Sequence, residues 1–197
     1  QTYTVVDNRA GSPDGTDTLS SIEFLQFADR TLQTSMVVHD AAAVINLNQR
    51  SIALTNSSFE AEIVGDGATV NAAAGWTLTG TTGNAGTINP SNAQLPENTT
   101  LGTDALFLNN GTASQTLNET FSATQQYTLM VDVGDRADTN IVSGAVRLYA
   151  GTVLIGEVTS FSVPESGWQT ITLNVDGNSF AGNAAALGQA LRIEFAS

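Results

Sequence analysis

The sequence predicts an all-β protein: an antiparallel β-sandwich or jelly roll over residues 50–197, preceded by a short N-terminal unit (1–32) and a linker (33–49). Two observations carry this. Short runs rich in Val, Ile, Thr, Phe and Tyr alternate with Gly, Asn, Asp and Ser turns along the chain, and helical periodicity is nearly missing. The first expected strand is 3–6, in "QTYTVV", and the second is 20–28, entered from the turn "GSPDG". "HDAAAVINLNQ" (39–49) is the one helix-compatible stretch, and it reads equally as a linker. Strands are then expected at 51–56, 59–64 and 76–80, with 65–103 forming long loops with short strands because it is rich in Gly, Thr and Asn and carries few large apolar residues. Strands at 104–109 and 113–121 flank "NNG" (109–111), a tight-hairpin signal because Asn-Gly accepts the positive φ angles of a type I′ turn. The remaining strands are 126–133, 144–150, 153–161, 168–175 and 190–196. So many short strands joined by turns point to a sandwich or jelly roll.

Composition narrows the function classes. With 197 residues, 41% of them hydrophobic, the chain can bury a sizeable core. Nineteen acidic residues against six arginines and no lysine give a net charge of −13. Such a surface repels nucleic-acid phosphates and anionic headgroups, so neither nucleic acid nor membrane insertion is expected. It suits divalent cations, and it also serves plain solubility. Cysteine is absent, which removes disulfides and thiolate chemistry. No apolar run approaches the roughly 18 residues that span a bilayer, and no charged-then-apolar leader is visible. The strand-like start reads as a segment cut from something longer.

Two stretches resemble known families. "YTVVDNRAGSPDGTDTLSSIEFLQFAD" resembles the segment that closes RTX-type (hemolysin-type) calcium-binding β-rolls of secreted bacterial proteins. The likeness rests on Asp14-Gly15-Thr16-Asp17-Thr18-Leu19, then Ile22-Glu23-Phe24-Leu25, Phe27 and Asp29. It implies a β-roll cap at 1–32, a secreted protein of the bacterial cell surface, and Ca²⁺ ligation by Asp14 and Asp17. Ser12-Pro13 stands where the repeat would carry paired glycines, and the alternative is that both aspartates cap turns. "ALTNSSFEAEIVGDG…AAGW", with the "QYTLMVDVG" and "GWQTITLNVDG" strands, resembles jelly-roll carbohydrate-binding modules and galactose-binding-like domains. That resemblance implies a structural calcium held by Glu60. Its usual partner is an Asp in a Phe-x-Asp-Asp-Val strand, for which Glu194 in "LRIEFAS" is a weak substitute.

Enzyme activity is not expected. His39, the one histidine, falls in the linker, so no Ser-His-Asp, Cys-His or zinc constellation can be assembled. Carboxylate pairs such as Glu60/Glu62 or Asp132, Asp135 and Asp138 are abundant in any chain this acidic.

Strand alternation instead separates a core face from a candidate binding face. Tyr127, Leu129, Val131, Val133, Val146, Leu148, Leu106 and Leu108 suit the core. If their strands share a sheet, the outer face collects Asp132, Arg147, Tyr149, Phe107 and Asn109, the equipment of a sugar site. The plainer alternative is an Asp132–Arg147 ion pair among scattered aromatics. Trp76 and Trp168, each after a glycine, are expected to pack at the sandwich edge. The expectation is therefore a non-catalytic, calcium-stabilised module binding a glycan or cell-surface polysaccharide. Its alternatives are a self-associating adhesive unit and an accessory domain of a secreted hydrolase.

Overall fold

A computed structural model describes residues 50–95, 102–138, 144–159 and 162–197, together with five strand backbones between residues 2 and 45. The chain divides into two compact units, Gln1–Ser51 and Ile52–Ser197. In the first, β1 (Thr2–Val6) runs antiparallel to β2 (Thr16–Ser20). Two short strands, β3 (Phe24–Gln26) and β4 (Thr31–Gln33), pair with each other. β5 (Val44–Ile45) lies parallel to β1, inside the stretch read as helix-compatible. The expected strand 20–28 is thus split between the end of β2 and β3.

The second unit holds ten strands among its described residues: β6 (Thr69–Val70), β7 (Thr77–Thr79), β8 (Ala85–Ile88), β9 (Ala105–Leu108) and β10 (Thr112–Thr120), then β11 (Gln126–Asp135), β12 (Ala145–Ala150), β13 (Val153–Val158), β14 (Gly167–Asp176) and β15 (Ala190–Ala196). They form three antiparallel sheets, ordered β13-β12-β15-β10-β7, β11-β14 and β6-β8-β9. The unit is all-β.

Alternation drives the packing. Tyr127 and Leu129 of β11, with Ile171, Leu173 and Val175 of β14, turn one face inward. They share a single core with Val146, Leu148 and Ala150 of β12, Leu191 and Ile193 of β15, and Ala113 and Leu117 of β10. Each large aliphatic side chain so buried contributes about 1.5–3 kcal/mol relative to exposure. The core therefore lies between the five-stranded and the two-stranded sheet.

Two expectations are corrected. Residues 51–56 and 59–64 form turns and irregular backbone rather than strands. Asn56 and Phe59 adopt left-handed φ angles of 48° and 62°, and the Asn56 side chain accepts the Ala61 N–H at 3.1 Å while donating to the Ala74 carbonyl at 3.2 Å. Local Asn hydrogen bonding outcompetes the β-propensity of the neighbours. "NNG" closes no hairpin: Asn110 is left-handed (φ 55°), but β9 pairs with β8 while β10 pairs with β15 and β7. The turn moves the chain between sheets, and a Cβ on Gly111 would lie 2.6 Å from the Thr79 carbonyl. The region 65–103, expected as long loops with short strands, holds the short strands β6, β7 and the fully buried β8 among its described residues. A side chain on Gly86 of β8 would collide with the Val70 carbonyl, so glycine is what allows that pairing.

Candidate functional site

Alternation along β12 sends Arg147 and Tyr149 to the face opposite the core, as the sequence predicts. Register then sets Arg147 beside Glu157 of β13 and Glu194 of β15, and Tyr149 beside Arg192. Glu194 is the hub. Its Oε1 accepts from Arg147 Nη1 at 3.1 Å and from the Tyr149 hydroxyl at 3.3 Å, and its Oε2 accepts from Arg192 Nη1 at 2.6 Å. Arg147 Nε also donates to Glu157 at 3.2 Å, and the Arg192 guanidinium lies 4.1 Å from the centre of the Tyr149 ring. An irregularity in the β12–β13 register between Leu148 and Tyr149 sits under this cluster; such bulges re-aim side chains.

The Glu194 side chain is only 15% exposed. Burial pushes its carboxyl up, but hydrogen bonds from Arg192 and Arg147 outweigh that and hold it below the ordinary range. The same bonds, from Glu194 and then Glu157, raise Arg147. The result is a pinned, ionised carboxylate between two guanidiniums, with one face of Tyr149 already covered. It is a rigid polar surface and a weak base.

The five residues expected to form one face lie on three sheets. Arg147 and Tyr149 are on β12 of the five-stranded sheet. Asp132 is on β11 of the two-stranded sheet, where it accepts from Thr170 across the ladder. Phe107 is on β9 of the third sheet, and Asn109 follows it, donating its N–H to the Asn84 carbonyl at 2.6 Å. The premise of a shared sheet is corrected, because sheet order here does not follow chain order. Trp168 lies against Gly134 on the neighbouring strand, where a Cβ would come within 2.9 Å of the ring. Trp76 is buried in the core.

A second polar cluster gathers around the loop after residue 55. Glu60 Oε1 accepts the backbone N–H groups of Thr103 at 2.7 Å and Asp104 at 2.6 Å. Gly102, at φ 136°, leaves the space its carboxylate fills. Glu62 accepts the Ala74 N–H at 2.6 Å and bonds from Asn56 and the buried Thr87. Asp104 is 4% exposed. Its pKa is raised from 3.8 by burial and then by the charge of Glu60.

Ca²⁺ takes six to eight oxygens, and Glu60, the expected ligand, has its Oε1 committed to two N–H donors. Among the described residues no group of three or more His, Asp or Glu side chains could hold a metal. Asp17 lies within β2 opposite Val5, and Asp14 lies outside the described residues.

The two carboxyls carry opposite pH signatures. Glu194, lowered on folding, contributes stability that is present above its ordinary range and lost as pH falls through its folded value. Asp104, raised on folding, costs stability once ionised, and acidification relieves that cost. An Asp104→Asn variant is expected to melt above wild type at pH 7, with the gap narrowing as pH falls toward 3.8. Melting temperatures across that range check it, and a gap that widens on acidification contradicts it.

Sequence reasoning did not see Arg192, Glu157 or Asp104 as part of a cluster. The i, i+2 spacing of Arg192 and Glu194 matches that of Arg147 and Tyr149 and was the available signal. Pairing two strands more than forty residues apart was not.

The model of the HpiC1-like family (HpiC1 cyclase) matches residues 50–197, and the chain belongs to that family. Solved structures share the fold. A Stig cyclase, Fisc, from Fischerella sp. TAU in complex with (3Z)-3-(1-methyl-2-pyrrolidinylidene)-3H-indole superposes with a TM-score of 0.62 at 20% identity, covering 73% of this chain and 86% of that one. An apo cyclase from Fischerella sp. gives 0.62 at 16% identity, with 73% and 85% covered. A cyclase from Fischerella sp. TAU in complex with 4-(1H-indol-3-yl)butan-2-one gives 0.61 at 19% identity, with 75% and 87% covered. No curated protein sequence matches the chain.

Family membership overturns the RTX and carbohydrate-binding-module resemblances. It also overturns the expected non-catalytic module with its adhesive and hydrolase-accessory alternatives, and the absence of enzyme activity inferred from the missing His and Cys constellations. The motifs that misled, Asn-x-x-Phe-Glu and Gly-Trp, build scaffold. Asn56, Phe59 and Trp76 pack on one another, so they report the fold and not its ligand.

Proposed function

We propose that this chain is a cyclase, closing a ring in a small, largely apolar molecule of the indole-bearing kind, on a sandwich of jelly-roll type. The match of residues 50–197 to the HpiC1-like family carries the reading. It also answers the missing His and Cys constellations. A ring closed by consuming a π bond needs no covalent protein intermediate. It needs a reactant held in its folded conformer, which pre-organisation supplies, and a well-placed proton donor or acceptor.

Ring closure of this type leaves the molecular formula unchanged. Incubating the protein with indoles that carry flexible unsaturated side chains is expected to yield products of identical mass and altered chromatographic retention. The absence of both turnover across such a panel and calorimetric binding of 4-(1H-indol-3-yl)butan-2-one would remove the reading.

A further inference from the structure

The inner face of the two-stranded sheet breaks its own pattern at one position. Register sets Tyr127, Leu129, Val131 and Val133 of β11 across from Val175, Leu173, Ile171 and Gln169 of β14. Seven of these eight are apolar or aromatic, and the eighth is an amide. Ile171, Leu173 and Val175, on the same face of β14, are buried in the core. The Gln169 Oε1 atom is enclosed as well, and it accepts no hydrogen bond. A Leu or Met would fit the alternation without that orphan. A buried acceptor left unmade forfeits its full hydration, so such groups in a native fold call for a partner from outside the protein.

The chemistry of that partner follows from the surroundings. It must donate a hydrogen bond to a carboxamide oxygen. Its body must be apolar, because Val131, Val133 and Ile171 share the face and would leave further polar groups unpaired. Sugars and hydrated ions carry too many such groups. A flat heteroaromatic ring with one N–H does not.

We propose that Gln169 is a specificity-determining residue, its Oε1 accepting the ring N–H of a heteroaromatic substrate that enters between the sheets. The inference rests on the cyclase reading and deepens it. Trp168, one residue earlier, turns to the opposite face against Gly134, so the acceptor and the indole of the protein itself do not compete for one space.

The test pairs a variant with a ligand change. Dissociation constants are measured by calorimetry for wild type, Gln169→Met and Gln169→Leu. The probes are 4-(1H-indol-3-yl)butan-2-one, the ligand of a solved relative, and its N-methyl analogue, which lacks the donor. Wild type is expected to prefer the N–H probe at least about tenfold, and both variants are expected to lose the preference. Their melting temperatures should not fall, because each removes an unpaired acceptor. A preference that survives in either folded variant overturns the inference and leaves the cyclase reading standing. Equal binding of the two probes by wild type does the same, since a buried water would then be the donor. Wild type binding neither probe overturns the inference and, absent turnover, the cyclase reading with it.

Discussion

A Trp76→Ala variant is expected to lose about 3–5 kcal/mol of stability, the range for truncating a large buried aromatic. Trp76 is 9% exposed. Its ring lies 5.3 Å from that of Phe59 on one side and 5.3 Å from that of Phe195 on the other, the second nearly parallel at 26°. Its Nε1 donates to the Asn56 carbonyl at 3.3 Å. Truncation would open a cavity between two aromatics and free the loop that holds the left-handed Asn56 and Phe59. Gly75 is part of the same device: at φ 80°, any Cβ there would meet the Thr55 methyl at 2.6 Å. Equilibrium denaturation in urea measures the loss. A loss below about 1 kcal/mol, the scale of ordinary surface changes, would place Trp76 at a solvated rim.

The second large effect lies on β12, between Arg147 and Tyr149 of the charged cluster. Leu148→Ala is expected to cost about 2–5 kcal/mol, because the side chain is 4% exposed between the sheets and its loss leaves a void. Tyr149→Ala, one residue on, should cost about 1–2 kcal/mol through the lost bond to Glu194 and the lost contact with Arg192. Alternation alone would make Tyr149 nearly free to remove. The network on its face is what raises the expectation. Denaturation of both variants decides the matter, and a Tyr149→Ala loss equal to that of Leu148→Ala would mean the faces are inverted.

How far the sequence could be read depended on the length of each strand. β14 was expected at 168–175 and spans Gly167–Asp176, and β15 was expected at 190–196 and spans Ala190–Ala196. Both have alternating inner residues that only a half-buried strand explains. β8 could not be placed individually within its loop-rich region because all four of its residues are buried, so no alternation exists to detect. The false strands at 51–64 arose from apolar residues, of which Ile52, Leu54 and Phe59 pack on the core from turns and irregular backbone. Sheet order was illegible for a different reason: the partner of Ala113 is Phe195, and no local pattern encodes a contact that distant. The candidate site inherited that limit. Arg147 and Tyr149 were assigned to the correct face, but the residues that hold them arrive on another strand. Gln169 was legible in principle, as the one amide in an apolar row.

The position of β15 has a consequence for how the molecule is made. It sits between β12 and β10, yet it follows both in the chain. During synthesis, residues 112–120 and 145–150 therefore emerge with no partner for the edges that β15 will fill. The centre of the sheet is completed after its flanks, so its assembly waits on the ribosome rather than proceeding strand by strand. Until residues 190–196 appear, two open edges stand exposed to neighbouring chains in the crowded cell, the setting in which nascent β-proteins are most prone to aggregate.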